Sequence, residues 1–306
     1  VRFSGGSDAV VYNIGVGYMD QDGILIQANH ANRYTLNANI SANVTPKLKI
    51  GTSIIGNYKT YSQPAFGGAN ATNYYFNRLT RALPIFGTYT PDGKYSSVAF
   101  VTPKRNTIEN PLMLIKEGSN SYAGQSILAK IEATYELPFN LKYNLNYGVD
   151  KEDAFRKSFE PYLVSYHPIT GVPNNYNIHP SSNNADENYL NQSFYQTLTW
   201  DRTFAKKHSL SAMAGTSYNN FNTINFSSHV EGYFDNELTD LNAGSTLPSV
   251  TGQITKNIIM SYLGRLNYGF ADKYLLEATF RYDGSSRFAS NRRWGFFPAV
   301  SAAWRI

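Results

Sequence analysis

The chain has 306 residues, of which 42% are hydrophobic and 16% charged, and its formal net charge is +5. Its 24 tyrosines and 18 phenylalanines exclude a disordered tail, and the absence of cysteine excludes disulfide scaffolds, thiolate metal sites and cysteine nucleophiles. No apolar run approaches the roughly 18 residues of a membrane-spanning helix. The remaining classes are a globular all-β or mixed chain, or a membrane β-barrel, whose alternating strands do not register as hydrophobic.

Alternation of apolar and polar residues is the dominant pattern along the chain. It is clearest over 33–44, 126–137 and 139–150. Because a period of two residues is that of a strand with one apolar and one polar face, these segments predict antiparallel strands. Seven further segments alternate with less contrast: roughly 9–19, 47–59, 189–201, 208–219, 257–270, 273–283 and 295–306. The total is about ten strands.

The segment 189–201 is the weakest of the ten. Gln192 and Gln196 share a face there with Phe194, Leu198 and Trp200. A lipid-facing strand surface is expected to be apolar, so these two amides lower the contrast between the faces.

The predicted strands are long, at about 11–13 residues. Strands of soluble proteins cluster near 5–6 residues, whereas a tilted membrane strand needs about 9–11. A charge facing lipid costs about 2–4 kcal/mol at the bilayer midplane, and the charged residues here fall on the polar face, which would line a lumen. They are Lys47, Lys49, Lys130, Glu132, Lys142, Asp150, Arg265, Glu277, Arg281 and Arg305.

The links between the predicted strands alternate in length. The short links are Thr45-Pro46, Pro138, about 202–207 and Ala271-Asp272. The long links are 20–32, about 60–125, 151–188, 220–256 and 284–294. Outer-membrane barrels have short periplasmic turns and long outer loops, and their aromatic residues form girdles at both interfaces. Tyr34 and Tyr58 near the long links, with Trp200 and Tyr274 near the short ones, fit two such girdles, although tyrosine is also a good strand former.

Several motifs carry a family resemblance. The hairpin from Tyr262-Leu263-Gly264-Arg265 to Asp272-Lys273-Tyr274-Leu275, and the run Arg281-Tyr282-Asp283-Gly284-Ser285-Ser286-Arg287-Phe288, are similar to barrel segments of the SusC/RagA family of TonB-linked outer-membrane proteins. The opening FSGGSDAVVYNIGVGYMDQDGI looks like an upstream strand of that family. RALPIFGTYTPDGKY, with Asn110-Pro111, looks like its large outer loop.

The resemblance implies a barrel of about 22 strands with an N-terminal plug and a TonB box. Such proteins import oligosaccharides or peptides across the outer membrane of Bacteroidota-type Gram-negative bacteria. A SusD-like surface lipoprotein closes over the barrel, and TonB–ExbB–ExbD supplies the energy. About ten strands, without a recognisable plug or TonB box, lead us to expect a partial receptor β-barrel domain over 1–306.

The long loops hold the candidate ligand-binding residues. Loop 60–125 carries Tyr74, Tyr75, Phe76 and Arg78, together with Arg81, Phe86 and Tyr89. Loop 151–188 carries Tyr162 and Tyr166, together with Phe155, Phe159 and Tyr176. Exposed aromatic rings next to amides suit sugar stacking and hydroxyl recognition, or a protein partner. The alternative is that these rings fold the loops onto one another.

No set of side chains predicts catalysis, and we expect neither an enzyme nor a cofactor. The five histidines are scattered without a metal-ligand spacing. Asp20 and Asp22 resemble the start of a calcium loop that is not completed, and Asp283-Gly284 is interpreted as a turn. Besides the importer, two hypotheses stay open: a self-contained passive pore or adhesin, and a soluble carbohydrate-binding β-sandwich.

Overall fold

The computed structural model describes residues 1–25, 29–66, 71–82, 87–97 and 109–306. Two helices lie between the fourth and fifth strands: α1 (Ala71–Arg81) and α2 (Pro111–Lys116). No helix among the described residues is long and apolar enough to cross a bilayer. The strands are β1 (Arg2–Gly6), β2 (Val10–Asp22), β3 (His30–Thr45), β4 (Leu48–Gln63), β5 (Ser119–Leu137), β6 (Leu141–Glu160), β7 (Leu163–Tyr166), β8 (Pro173–Asn177), β9 (Ser181–Phe204), β10 (His208–Glu231), β11 (Ser249–Phe270), β12 (Tyr274–Ser285) and β13 (Trp294–Trp304).

Eleven strands form one antiparallel sheet in the order β1-β2-β3-β4-β5-β6-β9-β10-β11-β12-β13. The remaining pair, β7 and β8, forms a separate hairpin. The prediction of an all-β, antiparallel architecture is confirmed. The sheet has one strand more than predicted because the short β1 pairs with β2, and its sequence RFSGG lacks the alternation that marks the other strands.

The two ends of the sheet differ in the length of their links. At one end, called the short-turn end, the links are 7–9, 46–47, 138–140, 205–207 and 271–273. At the other, called the long-loop end, they are 23–29, 64–118, 161–180, 232–248 and 286–293. Every chain reversal at the short-turn end takes two or three residues, as the alternation of link lengths predicted.

Several strands extend well beyond their predicted bounds at the long-loop end. β9 and β10 each have 24 residues, and β6 continues to Glu160, inside the predicted loop 151–188. The predicted loop 220–256 likewise shrinks to 232–248, because β10 and β11 remain paired as far as His229 and Ser249. Side chains stop alternating where both faces of a strand meet water, although the backbone hydrogen bonds between the strands continue. The side-chain pattern therefore underestimates the length of these strands.

The sheet buries little of its apolar face. Ile131 and Leu266 remain 52% and 46% exposed, although they lie in mid-strand. Rings form rows on this face: Tyr18, Tyr34 and Tyr58 follow one another near the long-loop end, with centroids 4.9 and 6.4 Å apart. The buried apolar residues among the described ones lie instead at or beyond the long-loop end.

Three turns at the short-turn end share one geometry. Their central residues all have positive φ: Phe139 and Asn140, Ala205 and Lys206, Ala271 and Asp272. Lys207 N donates to Phe204 O (3.2 Å), and Lys273 N donates to Phe270 O (3.0 Å). Two left-handed central residues define a type I′ turn, whose twist matches that of the flanking strands. These turns therefore set the register of three hairpins; one of them has asparagine at its centre, and none has glycine.

Asp283 and Gly284 lie inside β12, so their interpretation as a turn was wrong. Asp283 accepts from Nε of Arg281 at 2.7 Å, and a Cβ built on Gly284 would lie 2.8 Å from Cδ2 of Trp294. The missing side chain lets the indole of Trp294 lie over the strand and stack on Tyr282, with centroids 4.8 Å apart. The Asp283-Gly284 part of the motif that resembles the family therefore makes room for the ring of Trp294.

Gln192 and Gln196 find partners on the apolar face. Tyr143 donates from its hydroxyl to Gln196 Oε1 (2.6 Å), and Gln196 Nε2 donates to the hydroxyl of Thr216 (3.1 Å). Gln192 Nε2 donates to the hydroxyl of Tyr147 (3.2 Å). Since these amides are hydrogen-bonded across β6, β9 and β10, they carry much less of the cost of an unpaired amide in an apolar medium.

Candidate functional site

Segments from several loops pack into a small core beyond the long-loop end. We call α1, α2, residues 87–97 and the β7–β8 hairpin the loop cluster. Tyr95 and Tyr176 pack against this core from two different loops. Its buried residues are Leu25, Ala65, Phe66, Tyr75, Met113, Leu114, Ile115 and Leu163. The loops are thus held by their own apolar side chains, which is the alternative role that the sequence left open for their aromatic residues.

Asn110 fixes the start of α2. Its side-chain oxygen accepts from the backbone N–H groups of Leu112 (3.1 Å) and Met113 (3.3 Å), and Pro111 occupies the first helical turn. Its Nδ2 donates to the carbonyl oxygens of Thr88 (2.8 Å) and Ser96 (3.0 Å). The Asn110-Pro111 pair therefore combines a helix cap with a bridge to segment 87–97.

Tyr74 and Arg78 anchor α1 to the rest of the loop cluster. The guanidinium of Arg78 lies 3.3 Å from the ring centroid of Tyr74, and its Nε is 2.9 Å from Glu109 Oε2. The Tyr74 hydroxyl hydrogen-bonds to the hydroxyl of Tyr176 on β8. Burial is the main cause that raises the pKa of Tyr74 above its usual 10.0. Two predicted binding residues thus hold two loops together.

Tyr75 and Phe76 point in different directions, although they are neighbours on α1. Tyr75 is fully buried and donates from its hydroxyl to the carbonyl oxygen of Phe66 (2.6 Å). Burial raises its pKa above 10.0. Phe76 is 37% exposed. In this conformation Phe76 offers surface to a ligand or partner, whereas Tyr75 fills the core.

Tyr162 directly precedes β7, the first strand of the β7–β8 hairpin, and Tyr166 is the last residue of that strand. Tyr166 is tied to segment 87–97, since its N–H donates to Tyr95 O (2.8 Å) and its carbonyl accepts from Ser97 N (2.7 Å). Tyr162 is 43% exposed, and its backbone exchanges hydrogen bonds with the Asn236 side chain (2.8 and 3.0 Å). Of the six predicted residues, Phe76 and Tyr162 keep the most open ring surface.

A second cluster lies on the polar face, below the loops, and was not predicted. Tyr61 and Tyr122 stack with centroids 4.6 Å apart and an interplanar angle of 13°. Arg156 lies 4.9 Å from the Tyr122 ring, and its guanidinium donates to the Tyr61 hydroxyl (2.9 Å). Lys59 lies 4.9 Å from the Tyr61 ring. We call these four residues the wall cluster.

The wall cluster is a polar surface of nearly balanced charge. Glu187 Oε1 lies 4.0 Å from Arg156 Nε, and Glu152 accepts from the Tyr122 hydroxyl at 3.5 Å. Alternation along β4 could have predicted two members of the wall cluster, because Lys59 and Tyr61 lie on the same polar face as Lys47 and Lys49. Tyr122 and Arg156 could be placed only from the pairing of β4 with β5 and of β5 with β6.

Other candidates contribute less. Phe86 lies outside the described residues. Asp20 and Asp22 end β2, and both approach His30, at 3.7 and 2.8 Å. In the part of the chain that the structure describes, no group of three or more His, Asp or Glu side chains is arranged to hold a metal ion.

The fold, with its short turns at one end of the sheet and its long loops at the other, defines a structural class of protein. A long-stranded antiparallel sheet with an exposed apolar face, a charged opposite face and loops collected at one end is the wall of a transmembrane β-barrel. No family model matches the chain. Curated proteins of TonB-dependent receptor type do match it, along its full length.

The chain is similar to TonB-dependent receptor P3 of Formosa agariphila, with 28% identity over 311 residues. It is also similar to TonB-dependent receptor SusC of Bacteroides thetaiotaomicron, with 24% identity over 327 residues. Both alignments cover 100% of this chain and 30% of the relative, so the chain spans under a third of the length of these relatives. It is therefore similar to one section of a SusC/RagA-like receptor.

The fold is shared with the RagAB peptide transporter. The TM-score is 0.74 at 21% identity, and the match covers 98% of this chain and 33% of that one. The RagAB peptide importer in its closed-closed state gives the same TM-score at 22% identity. At these identities the structures establish the barrel fold.

Proposed function

We propose that this chain forms part of the barrel wall of an outer-membrane, TonB-dependent importer of oligosaccharides or peptides. The observation that carries the proposal is the combination of full-length similarity to TonB-dependent receptors with a sheet whose apolar face is exposed. The protein acts as a transporter and not as an enzyme. The short-turn end faces the periplasm, and the loop cluster faces the cell exterior.

The exposed apolar face argues against a soluble β-sandwich. In a sandwich the apolar residues of two sheets interdigitate and become buried. Here Ile127, Ile131 and Leu276 are 51%, 52% and 47% exposed on one sheet. Lipid is the medium in which such a face is stable, whereas in water each exposed aliphatic side chain loses about 1.5–3 kcal/mol relative to burial.

Ligand contact is assigned to the residues that keep free surface. Phe76 and Tyr162 present rings at the loop cluster, and the wall cluster presents tyrosine hydroxyls and cations on the lumen side below it. Tyr74, Tyr75, Arg78 and Tyr166 act mainly by holding the loops that carry the exposed rings. Together these groups suit a ligand with hydroxyl or amide groups and little net charge.

A SusD-like lipoprotein is the proposed partner at the loop cluster, and TonB–ExbB–ExbD is the proposed source of energy. Support comes from the similarity to SusC and to the RagAB peptide transporter. The energy-coupling contacts require a plug and a TonB box, which we place in a longer protein that contains 1–306 as a domain. Such a parent barrel would have about 22 strands.

The test is uptake by cells that express the full-length receptor. Labelled oligosaccharides and peptides are supplied with and without a proton-motive force, and the receptor is located by membrane fractionation. Energy-dependent accumulation with the receptor in the outer-membrane fraction is expected. Recovery in a soluble or inner-membrane fraction, or uptake that is insensitive to an uncoupler, would overturn the proposal, and the latter result would favour the passive pore.

The site assignment needs its own variants. Tyr162→Ala in the full-length receptor is expected to weaken ligand uptake or lipoprotein binding several-fold without lowering thermal stability. Tyr75→Ala is expected to destabilise the loop cluster first. Phe234→Ala is the matched control, since Phe234 is a fully exposed loop aromatic. An equal loss for Tyr162→Ala and Phe234→Ala would contradict the assignment.

A further inference from the structure

Four cations collect at the short-turn end of β9–β12. Lys206 and Lys207 lie in the turn between β9 and β10, and Lys273 lies in the turn between β11 and β12. The two turns are joined, because Ala271 N donates to Lys207 O at 2.7 Å. Arg202 lies opposite Leu210 on the apolar face, two residue pairs beyond the pair Phe204–His208 that closes the first turn. We call Arg202, Lys206, Lys207 and Lys273 the basic rim.

The basic rim has no carboxylate partner. None of the ion pairs found among the described residues includes any of its four members. The two nearby acids are Asp201, which alternation places on the polar face, and Asp272, inside the second turn. Lysines at other positions, such as Lys130 and Lys157, do have carboxylate partners at 2.7 Å.

A continuous aromatic row accompanies these cations on the apolar face. His208 contacts Phe270 with ring centroids 4.9 Å apart, and Tyr274 stacks on Trp304 at 6.3 Å. The guanidinium of Arg202 lies 5.0 Å from the ring centroid of Phe204. Leu210 and Leu276 lie on the same face, two residue pairs further from the turns than this row and level with Arg202.

We propose that the basic rim binds the phosphate headgroup of an anionic phospholipid in the periplasmic leaflet. The leucines pack along the acyl chains, and the aromatic row lies at the level of the glycerol backbone. The three turn lysines meet the phosphate, and the Arg202 guanidinium extends toward it over the ring of Phe204. This order of apolar, amphipathic and cationic groups along the strand is that of a lipid molecule from tail to headgroup. The inference rests on the membrane location in the proposed function, but not on any transported ligand.

Two features set this site apart from a general lipid contact. The left-handed conformation of Lys206 places a lysine where a type I′ turn favours asparagine or glycine. Arg202 is a charge on the apolar face, which is tolerated near an interface because the guanidinium can reach headgroups. Lys206 thus lies at the level of a phosphate, and the Arg202 guanidinium reaches toward that level over Phe204.

The test measures lipid retained by the purified full-length receptor. The receptor is equilibrated with mixed micelles that contain phosphatidylglycerol or phosphatidylcholine, and native mass spectrometry counts the bound lipids. The variant carries Arg202→Gln, Lys206→Gln, Lys207→Gln and Lys273→Gln. The matched control also loses four cations, all on the polar face: Lys49→Gln, Lys130→Gln, Lys142→Gln and Arg265→Gln.

The rim variant is expected to retain at least about tenfold less phosphatidylglycerol, since each basic residue near an anionic surface strengthens binding roughly fivefold. The control variant should retain as much as the unaltered receptor, and phosphatidylcholine retention should not change. Heat-modifiability on gels verifies that each variant is folded. Equal phosphatidylglycerol retention by folded rim and control variants, or no preference over phosphatidylcholine, would overturn the inference. Uptake measured in parallel keeps this result separate from the proposed transport.

Discussion

Arg78 and Glu109 form an ion pair between α1 and the segment that precedes α2, 31 positions apart in the chain. Nε and Oε2 are 2.9 Å apart, and the two side chains are only 21% and 17% exposed. The Arg78 guanidinium also stacks on the ring of Tyr74. Since the Tyr74 hydroxyl hydrogen-bonds to Tyr176 on β8, these contacts link α1 both to Glu109 and to the β7–β8 hairpin. The contact shows how the loop cluster is held in one arrangement.

Arg78→Ala is expected to destabilise the loop cluster by about 2 kcal/mol, because it leaves the Glu109 carboxylate partly buried without a partner. Hydrogen exchange of residues 109–117 in the full-length receptor measures the effect. Arg81→Ala is the control, since Arg81 is exposed and donates to Asn77 on its own helix. Unchanged exchange in Arg78→Ala would contradict this role.

The loop cluster is expected to lose stability at alkaline pH. Burial raises the pKa values of Tyr74, Tyr75 and Tyr176 in the folded state above the usual 10.0. Well below pH 10 the tyrosines are neutral in both the folded and the unfolded state, so their contribution to the free energy of unfolding does not change with pH. Above that pH the unfolded tyrosines ionise first, so stability falls as pH rises. Protease susceptibility of the loops at about pH 9 to 11 measures this, and Tyr75→Phe should flatten the curve.

Gly284→Ala is expected to displace Trp294 from its stack with Tyr282 and to cost about 1–2 kcal/mol, since a Cβ would lie 2.8 Å from the indole. Tryptophan fluorescence and thermal unfolding report the change. Gly252→Ala is the matched control in β11, where a Cβ meets its nearest atom at 3.9 Å. Similar losses in both variants would show that the ring is not the cause.

Gln196→Leu is expected to cost less than about 1 kcal/mol, because a hydrogen bond among membrane-facing side chains contributes about 0.6 kcal/mol and leucine suits lipid. Unfolding in detergent by heat or denaturant measures it. Adding Thr216→Val removes the hydroxyl to which Gln196 donates, and this second change should not lower the stability further. A cost above about 2 kcal/mol would mean that this face is covered by protein.

The predicted strands were located well where one face meets lipid, and poorly beyond it. Alternation identified β3, β5 and β6 because Ile131 and its neighbours on the face must all be apolar. It missed β1, whose sequence RFSGG does not alternate. It also missed the outer ends of β9 and β10, where water lies on both sides and side chains such as Asn184 and Asn225 carry no pattern. The loop residues Tyr75 and Phe76 show the same limit: their composition is alike, but one is buried and the other exposed.

The sequence alone determined the two faces of the sheet, the sorting of short and long links, and the similarity to SusC/RagA-like receptors. These features are local, since side chains alternate at every second residue and turns take only a few residues. Tertiary structure decided which side chains meet across the chain. Tyr74 reaches Tyr176 from 102 positions away, and Arg156 reaches Tyr61 from 95 positions away. Such contacts depend on strand register and loop packing, which no local pattern encodes.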